Sequence, residues 1–396
     1  MRPLASVPVR RSLHGHFWTL TPHVLHVLRP EPVPRDEPWH TSVDDPAHGP
    51  VRLTGWLRDT PHSDTCVVLV HGLGGSADSR YVLRAAREAR DVGMSYLRLH
   101  CRGADRSGED IYHAALSDDL RAALASPGLA KFRRIYVIGF SMGGHMALRW
   151  AHEPDRDPRV AALIAVCAPL DLAYGANAIQ RPGGLPYQWH VLRGLKEIYR
   201  AAAARRAMPV PVEHAMTLRT ILEWDDEVVV PRFGWRDRAH YYEAASAGPM
   251  LEGCDLPTLF VAAHQDPVVT AGGLRPWLER ASDAVEVAWT EGGHIGFPDD
   301  LRLVGDDRPT PFISIAHALA SALREEGWTG LRTPRALARR DSRGPRRGVP
   351  RVAPQKSRGC ASDAKPQLGA PGDLRVRAAR SLRNSDLRAP GTSRAG

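Results

Sequence analysis

The sequence predicts an α/β fold with a mostly parallel central sheet and helices on both of its faces. Three observations carry that expectation. Short β-branched runs have the length of buried strands, helical stretches alternate with them, and glycines mark the tight passages from strand to helix. The first run, Cys66-Val67-Val68-Leu69-Val70, ends at His71-Gly72. A helix over Ser79 to Asp91 follows, with Val82, Leu83, Ala86 and Ala89 on its apolar side. A strand over Ser95 to Leu99 and a helix over Leu116 to Ala125 come next. The run Ile135 to Phe140 leads straight into Ser141 and a helix over Gly144 to His152. Strands over Val160 to Val166, Thr258 to Ala262 and Val285 to Trp289 complete the series. Such regular alternation makes the strands parallel, each joined to the next by a crossover helix.

One interval interrupts the rhythm. No good strand lies between Pro169 and Leu256, but a helical segment runs from Trp189 to Arg206. Residues 171–244 hold 9 of the chain's 26 aromatic residues, which suits a helical cap over a cleft and equally a small core of the insertion's own. The expected organisation is therefore an N-terminal segment, 1–50, packing on the core; a core over 51–170 and 245–328; a helical cap over 171–244; and a disordered basic tail over 331–396.

Charge is divided along the same lines. The 396 residues carry a formal +9, which by itself suggests a nucleic-acid or membrane partner. Residues 331–396, however, hold 17 Lys+Arg against 4 Asp+Glu, so the remaining 330 are mildly acidic at −4. Arginine outnumbers lysine 49 to 4 across the whole chain, so an arginine-rich tail partly reflects a compositional habit. Nucleic acid is not an expected partner, and a membrane surface is expected to be touched at most transiently. Five scattered cysteines form no C-x-x-C pair, which reads as reduced, buried thiols in the cytoplasm. No apolar run reaches the length of a spanning helix, and none follows Arg10-Arg11 as a signal peptide would require.

The chemistry concentrates in three places. Gly139-Phe140-Ser141-Met142-Gly143 fits G-x-S-x-G at a strand-to-helix junction, where a tight turn lifts a serine hydroxyl above the sheet. Serine is a weak nucleophile and needs a base, which in turn needs an orienting acid. Asp266 lies just past the strand at 258–262, and His294 just past the next strand, after Gly292-Gly293. Both sit at carboxyl ends of parallel strands, the edge where open α/β sheets place their sites. Asp171, after the preceding strand, is the substitute acid. The glycine loop His71-Gly72-Leu73-Gly74-Gly75 turns backbone amides inward, so the amides of Leu73 and Met142 are the expected oxyanion donors. His71 itself is expected to be structural. The loop lacks the lysine of a phosphate cradle, and the cluster Glu223-Trp224-Asp225-Asp226-Glu227 lacks the alternation of a calcium loop. No Cys/His spacing suits zinc, so no metal and no cofactor is expected.

These residues resemble the α/β-hydrolase superfamily and, within it, the YheT-like branch of hydrolases and esterases. The resemblance runs over about residues 15–325, through Pro22-His23-Val24, the loop at 71–76, the serine motif, Asp225-Asp226, Gly234, Tyr241-Tyr242, Pro257-Thr258, Asp266-Pro267 and Gly292 to Phe297. It implies ester hydrolysis on medium-chain acyl or lipid esters. Two positions depart from the branch pattern: Gln265-Asp266 has one aspartate where two are usual, and the loop at Arg102 to Ser107 carries Asp105 where a glycine is usual. The expected activity is a serine esterase working through an acyl-enzyme. The alternatives are acyl transfer to an alcohol, or a non-catalytic lipid- or protein-binding member of the fold.

Overall fold

The six β-branched runs form strands where the sequence places them. The structure is a computed structural model that describes residues 9–298. Its strands are β1 (Glu37–Asp45), β2 (Gly49–Arg58), β3 (Thr65–Val70), β4 (Ser95–Leu99), β5 (Arg134–Phe140), β6 (Val160–Val166), β7 (Thr258–Ala263) and β8 (Val285–Thr290). They form one sheet in the order β1-β2-β4-β3-β5-β6-β7-β8. From β4 to β8 every pairing is parallel.

Strand alternation divides the core into two layers. Val68 and Val70 face one apolar cluster, shared with Met146, Leu148 and Trp150 of α4 (Met142–Trp150). Val67 and Leu69 face the other, shared with Val82, Ala85 and Ala86 of α2 (Arg80–Asp91). Helices thus cover both faces, and α3 (Asp118–Ala125) joins α4 on its side through Leu120 and Leu124.

Two elements were not anticipated. Strands β1 and β2 form an antiparallel hairpin, and β2 pairs antiparallel with β4, so the sheet gains two strands at that edge. A boundary at residue 50 falls inside this hairpin. Ahead of it lies α1 (Val9–Leu28).

The interval between β6 and β7 is helical. It holds α5 (Leu172–Ala178), α6 (Leu185–Ala203), α7 (Val212–Thr217), α8 (Ile221–Trp224), a π-helical turn at Asp225–Val229, α9 (Val230–Arg232) and α10 (Arg238–Ala245). Helix α6 begins earlier than expected because Pro186 occupies its first turn, where a missing N–H costs nothing. The acidic cluster is used locally. Thr220 and Glu223 form a capping box at α8, while Asp226 and Glu227 pair with Arg238 and His214. Between β7 and β8 lies α11 (Ala271–Leu278). The expected tail over 331–396, and the core stretch past residue 298, lie outside the described residues.

Candidate active site

Ser141 sits between β5 and α4 with φ 50° and ψ −119°, a positive φ that a side-chain-bearing residue adopts only under constraint. The flanking glycines allow that constraint. A Cβ on Gly139 would lie 2.5 Å from the Gly143 carbonyl oxygen, and one on Gly143 would lie 2.4 Å from the carbonyl oxygens of His71 and Val70. Only hydrogen fits at either position. The Ser141 N–H is tied to the Val166 carbonyl at 2.8 Å, which fixes the turn against β6. Ser141 caps α4 through its backbone only, and its hydroxyl makes no hydrogen bond among the described residues.

Asp266 and His294 come together across the ends of β7 and β8. His294 Nδ1 and Asp266 Oδ2 are 2.8 Å apart, with the carboxylate buried. The other carboxylate oxygen accepts the N–H groups of Val268 and Val269 at 2.8 and 2.9 Å. Both oxygens of Asp266 are therefore committed, one to the imidazole and one to the backbone. The substitute acid, Asp171, is instead the N-cap of α5, accepting the Tyr174 N–H at 2.8 Å. The Cys167 thiol is the third group here. Its sulfur and the ligand atoms of Asp266 and His294 all lie within 4.8 Å of one another, and burial pushes the thiol pKa well up. Two of those three groups already hydrogen-bond to each other.

The histidine loop is gripped by α1. The His294 N–H donates to Thr19 Oγ1 at 2.8 Å, and the Thr19 hydroxyl donates to the Gly15 carbonyl at 2.7 Å. A Cβ on Gly293 would lie 2.2 Å from that same carbonyl. Nothing in the local sequence marked Thr19 as a support of the site, since the link spans 275 residues.

The glycine loop after β3 is shaped from beneath. Tyr81 Oη accepts the Gly72 N–H at 3.0 Å, and Tyr112 Oη accepts the Gly74 N–H at 2.8 Å. His71 is buried, and its Nε2 accepts the Cys101 N–H at 3.1 Å, which puts the ring proton on Nδ1 facing the Gly72 carbonyl. Burial lowers its pKa to about 3, so it is a neutral structural residue, as expected. Arg102 ties the next loop down through Asp119 and Asp45, and Arg232 of α9 reaches Asp110 at 2.9 Å.

Leu73, Ser141 and Met142 line one cavity of about 110 Å³. The insertion supplies much of its remaining wall through Leu172, Ile179, Val191 and Leu195. The aromatic residues divide between two roles. Trp224, Tyr241 and Tyr242 line the cavity, whereas Tyr199 packs edge-on against Trp224 within the insertion.

Residues 65–301 match the family model described as alpha/beta hydrolase fold. An abhydrolase domain-containing protein of Dictyostelium discoideum is 26% identical over 258 residues, 62% of this chain and 64% of the relative. The putative esterase YheT of Escherichia coli is 31% identical over 249 residues, 58% of this chain and 70% of the relative. A monoacylglycerol lipase of Saccharomyces cerevisiae is 24% identical over 251 residues, 59% of this chain and 55% of the relative. The matched stretch thus spans less than two thirds of the first and third of these proteins.

Proposed function

The chain belongs to the α/β-hydrolase family, in its YheT-like branch, and we propose that it is a serine hydrolase cleaving carboxylic esters through an acyl-enzyme. The observation that carries this reading is the Asp266–His294 pair, held at the same sheet edge as the Ser141 turn. Asp266 accepts from Nδ1, which leaves Nε2 as the free base of the imidazole. His294 then takes the Ser141 proton as Oγ attacks the ester carbonyl. The amides of Leu73 and Met142 hold the oxyanion, the second of them an unpaired first-turn donor of α4. Collapse expels the alcohol, which leaves with the proton from His294. Water, activated by the same histidine, releases the acid. No cofactor or metal enters these steps.

The apolar wall from Leu172 to Leu195 suits an acyl chain, which supports medium-chain acyl or lipid esters as substrates. Relatives named putative esterase and monoacylglycerol lipase support the same class. Among the described residues no helix is long and apolar enough to cross a membrane. Four buried free thiols, Cys66, Cys101, Cys167 and Cys254, support a reducing, cytoplasmic setting.

The test is a fluorophosphonate probe run beside a p-nitrophenyl ester series of increasing acyl length. The wild type is expected to label and turn over, with both signals lost in Ser141→Ala. A folded wild type that neither labels nor hydrolyses any ester would sink the proposal. Added alcohol, with product analysis, separates hydrolysis from acyl transfer.

A further inference from the structure

One ionisable acid interrupts the apolar wall of the cavity beside Ser141. Asp225 opens the π-helical turn after α8, an irregularity that helices often carry at functional sites. The residue is only 8% exposed. Tyr242 donates its hydroxyl to Oδ2 at 2.6 Å. Oδ1 has no hydrogen-bond partner among the described residues, and it is not one of the fully enclosed unpaired atoms. Oδ1 thus keeps some exposure, in a residue that lines the cavity. The neighbouring acids are spoken for, since Asp226 pairs with Arg238 and Glu227 with His214. Among the described residues no cation bonds to Asp225 itself, although the nearby Arg238 charge, paired with Asp226, favours its carboxylate.

A carboxyl oxygen left without a partner in an apolar cavity is costly unless a ligand supplies the missing donor. We propose that Asp225 reads a hydroxyl on the acyl chain, so that the esters this site favours are hydroxyacyl esters. The substrate O–H donates to Oδ1 while Tyr242 holds Oδ2 in place. This rests on the reading of Ser141 as nucleophile and of the cavity as its acyl pocket. A neutral hydroxyl suits the site better than an ammonium group. Burial raises the Asp225 carboxyl to about 7, so near neutrality the group is only partly charged. A hydroxyl pairs with both forms, accepting from the acid and donating to the carboxylate. An ammonium group would lose its water for an incomplete counter-charge.

The experiment compares kcat/KM for p-nitrophenyl esters of equal chain length: plain, hydroxylated at successive carbons, carrying a methyl ether at the best of those carbons, and carrying an ammonium group there. Wild type, Asp225→Leu and Tyr242→Phe are assayed, with fluorophosphonate labelling of Ser141 reporting an intact site. At one position the hydroxyl is expected to raise wild-type kcat/KM about ten- to a hundredfold over the plain ester, the gain one hydrogen bond to a charged or buried group gives. Assayed a pH unit or more above the Asp225 pKa, where the carboxylate can only accept, the methyl ether, which cannot donate, loses that gain. In Asp225→Leu the plain and hydroxylated esters converge to within about threefold. Tyr242→Phe keeps the carboxyl and retains a hydroxyl preference. The inference is overturned if the wild type prefers the plain ester at every position, if the ether equals the hydroxyl, or if the ammonium ester outruns it. A preference that survives in labelled Asp225→Leu overturns it too. A wild type that labels but shows no hydroxyl preference refutes this inference alone. One that neither labels nor hydrolyses refutes the esterase reading with it.

Discussion

Replacing Asp266 by asparagine changes one atom of the site and leaves its shape alone. In the native pair Oδ1 accepts two backbone N–H groups, from Val268 and Val269, while Oδ2 faces His294 Nδ1. An asparagine must keep its oxygen toward the two N–H donors, because an amide NH2 there would meet donor with donor. Its NH2 then faces Nδ1, which must turn from donor to acceptor. The ring proton moves to Nε2, the atom that has to receive the Ser141 proton, and the negative charge that steadies the imidazolium is gone. Loss of tautomer and charge together costs about 10⁴ in kcat where this arrangement has been dissected, which at ~1.36 kcal/mol per decade is about 5.5 kcal/mol of barrier. Stability is expected to change little, since the substitution is isosteric and both backbone bonds remain. The assay pairs ester turnover with the rate of fluorophosphonate labelling, and thermal melting verifies the fold. Asp171→Asn is the control, because asparagine caps a helix about as well as aspartate and α5 should not notice the exchange. A kcat within tenfold of wild type for Asp266→Asn, or an equal loss in Asp171→Asn, would refute the assignment.

Three further outcomes follow from the same geometry. Thr19→Val removes the acceptor of the His294 N–H and is expected to lower kcat about tenfold, a single lost hydrogen bond, with KM nearly unchanged and Thr19→Ser restoring the rate; a KM effect alone would contradict a positioning role. Gly143→Ala forces a Cβ to 2.4 Å from two carbonyl oxygens, so a loss of about 3 kcal/mol or more is expected by urea titration, and an unchanged midpoint would contradict the packing of the turn. Stability is expected to fall steeply in acid. Burial lowers His71 and His113 to about 3 and His145 to about 4, so between about pH 4 and 5.5 the unfolded chain binds about three protons at these sites that the folded chain refuses, and His100, also lowered by burial, adds in the same direction. Asp225, raised to about 7 by burial, binds one proton in the folded state that the unfolded state lacks in the same window, which leaves a difference of about two, His100 aside. At ~1.36 kcal/mol per proton and pH unit, stability should rise by roughly 2.7 kcal/mol per unit on going up through that window. A flat pH profile of urea midpoints there would contradict it.

What the sequence disclosed and what it withheld divide along a physical line. The run Ile135 to Phe140 followed by Gly-x-Ser-x-Gly was legible because a few adjacent residues determine both strand and turn, and the glycines at 139 and 143 are required by contacts the turn itself creates. The order Ser141, Asp266, His294 was legible because each follows a strand of the same parallel sheet. The hairpin of β1 and β2 was less so. Val51 and Leu53 alternate toward the core, yet Glu37, Pro38 and His40 in its partner face solvent, and a half-wet edge strand carries a diluted pattern. Thr19 had no signal at all, because its role exists only once α1 lies against the histidine loop. Asp225 stood in plain view within an acidic cluster, where capping and surface pairing were the reasonable expectation, and three of its four acids do behave so. What distinguishes the fourth is the side of the π-helical turn on which it falls. Asp225 lines the cavity, while Asp226 and Glu227 of the same turn pair with Arg238 and His214. Chemistry written into local geometry can thus be read from the chain, whereas selectivity, which depends on the face a residue presents after folding, has to be read from the packed molecule.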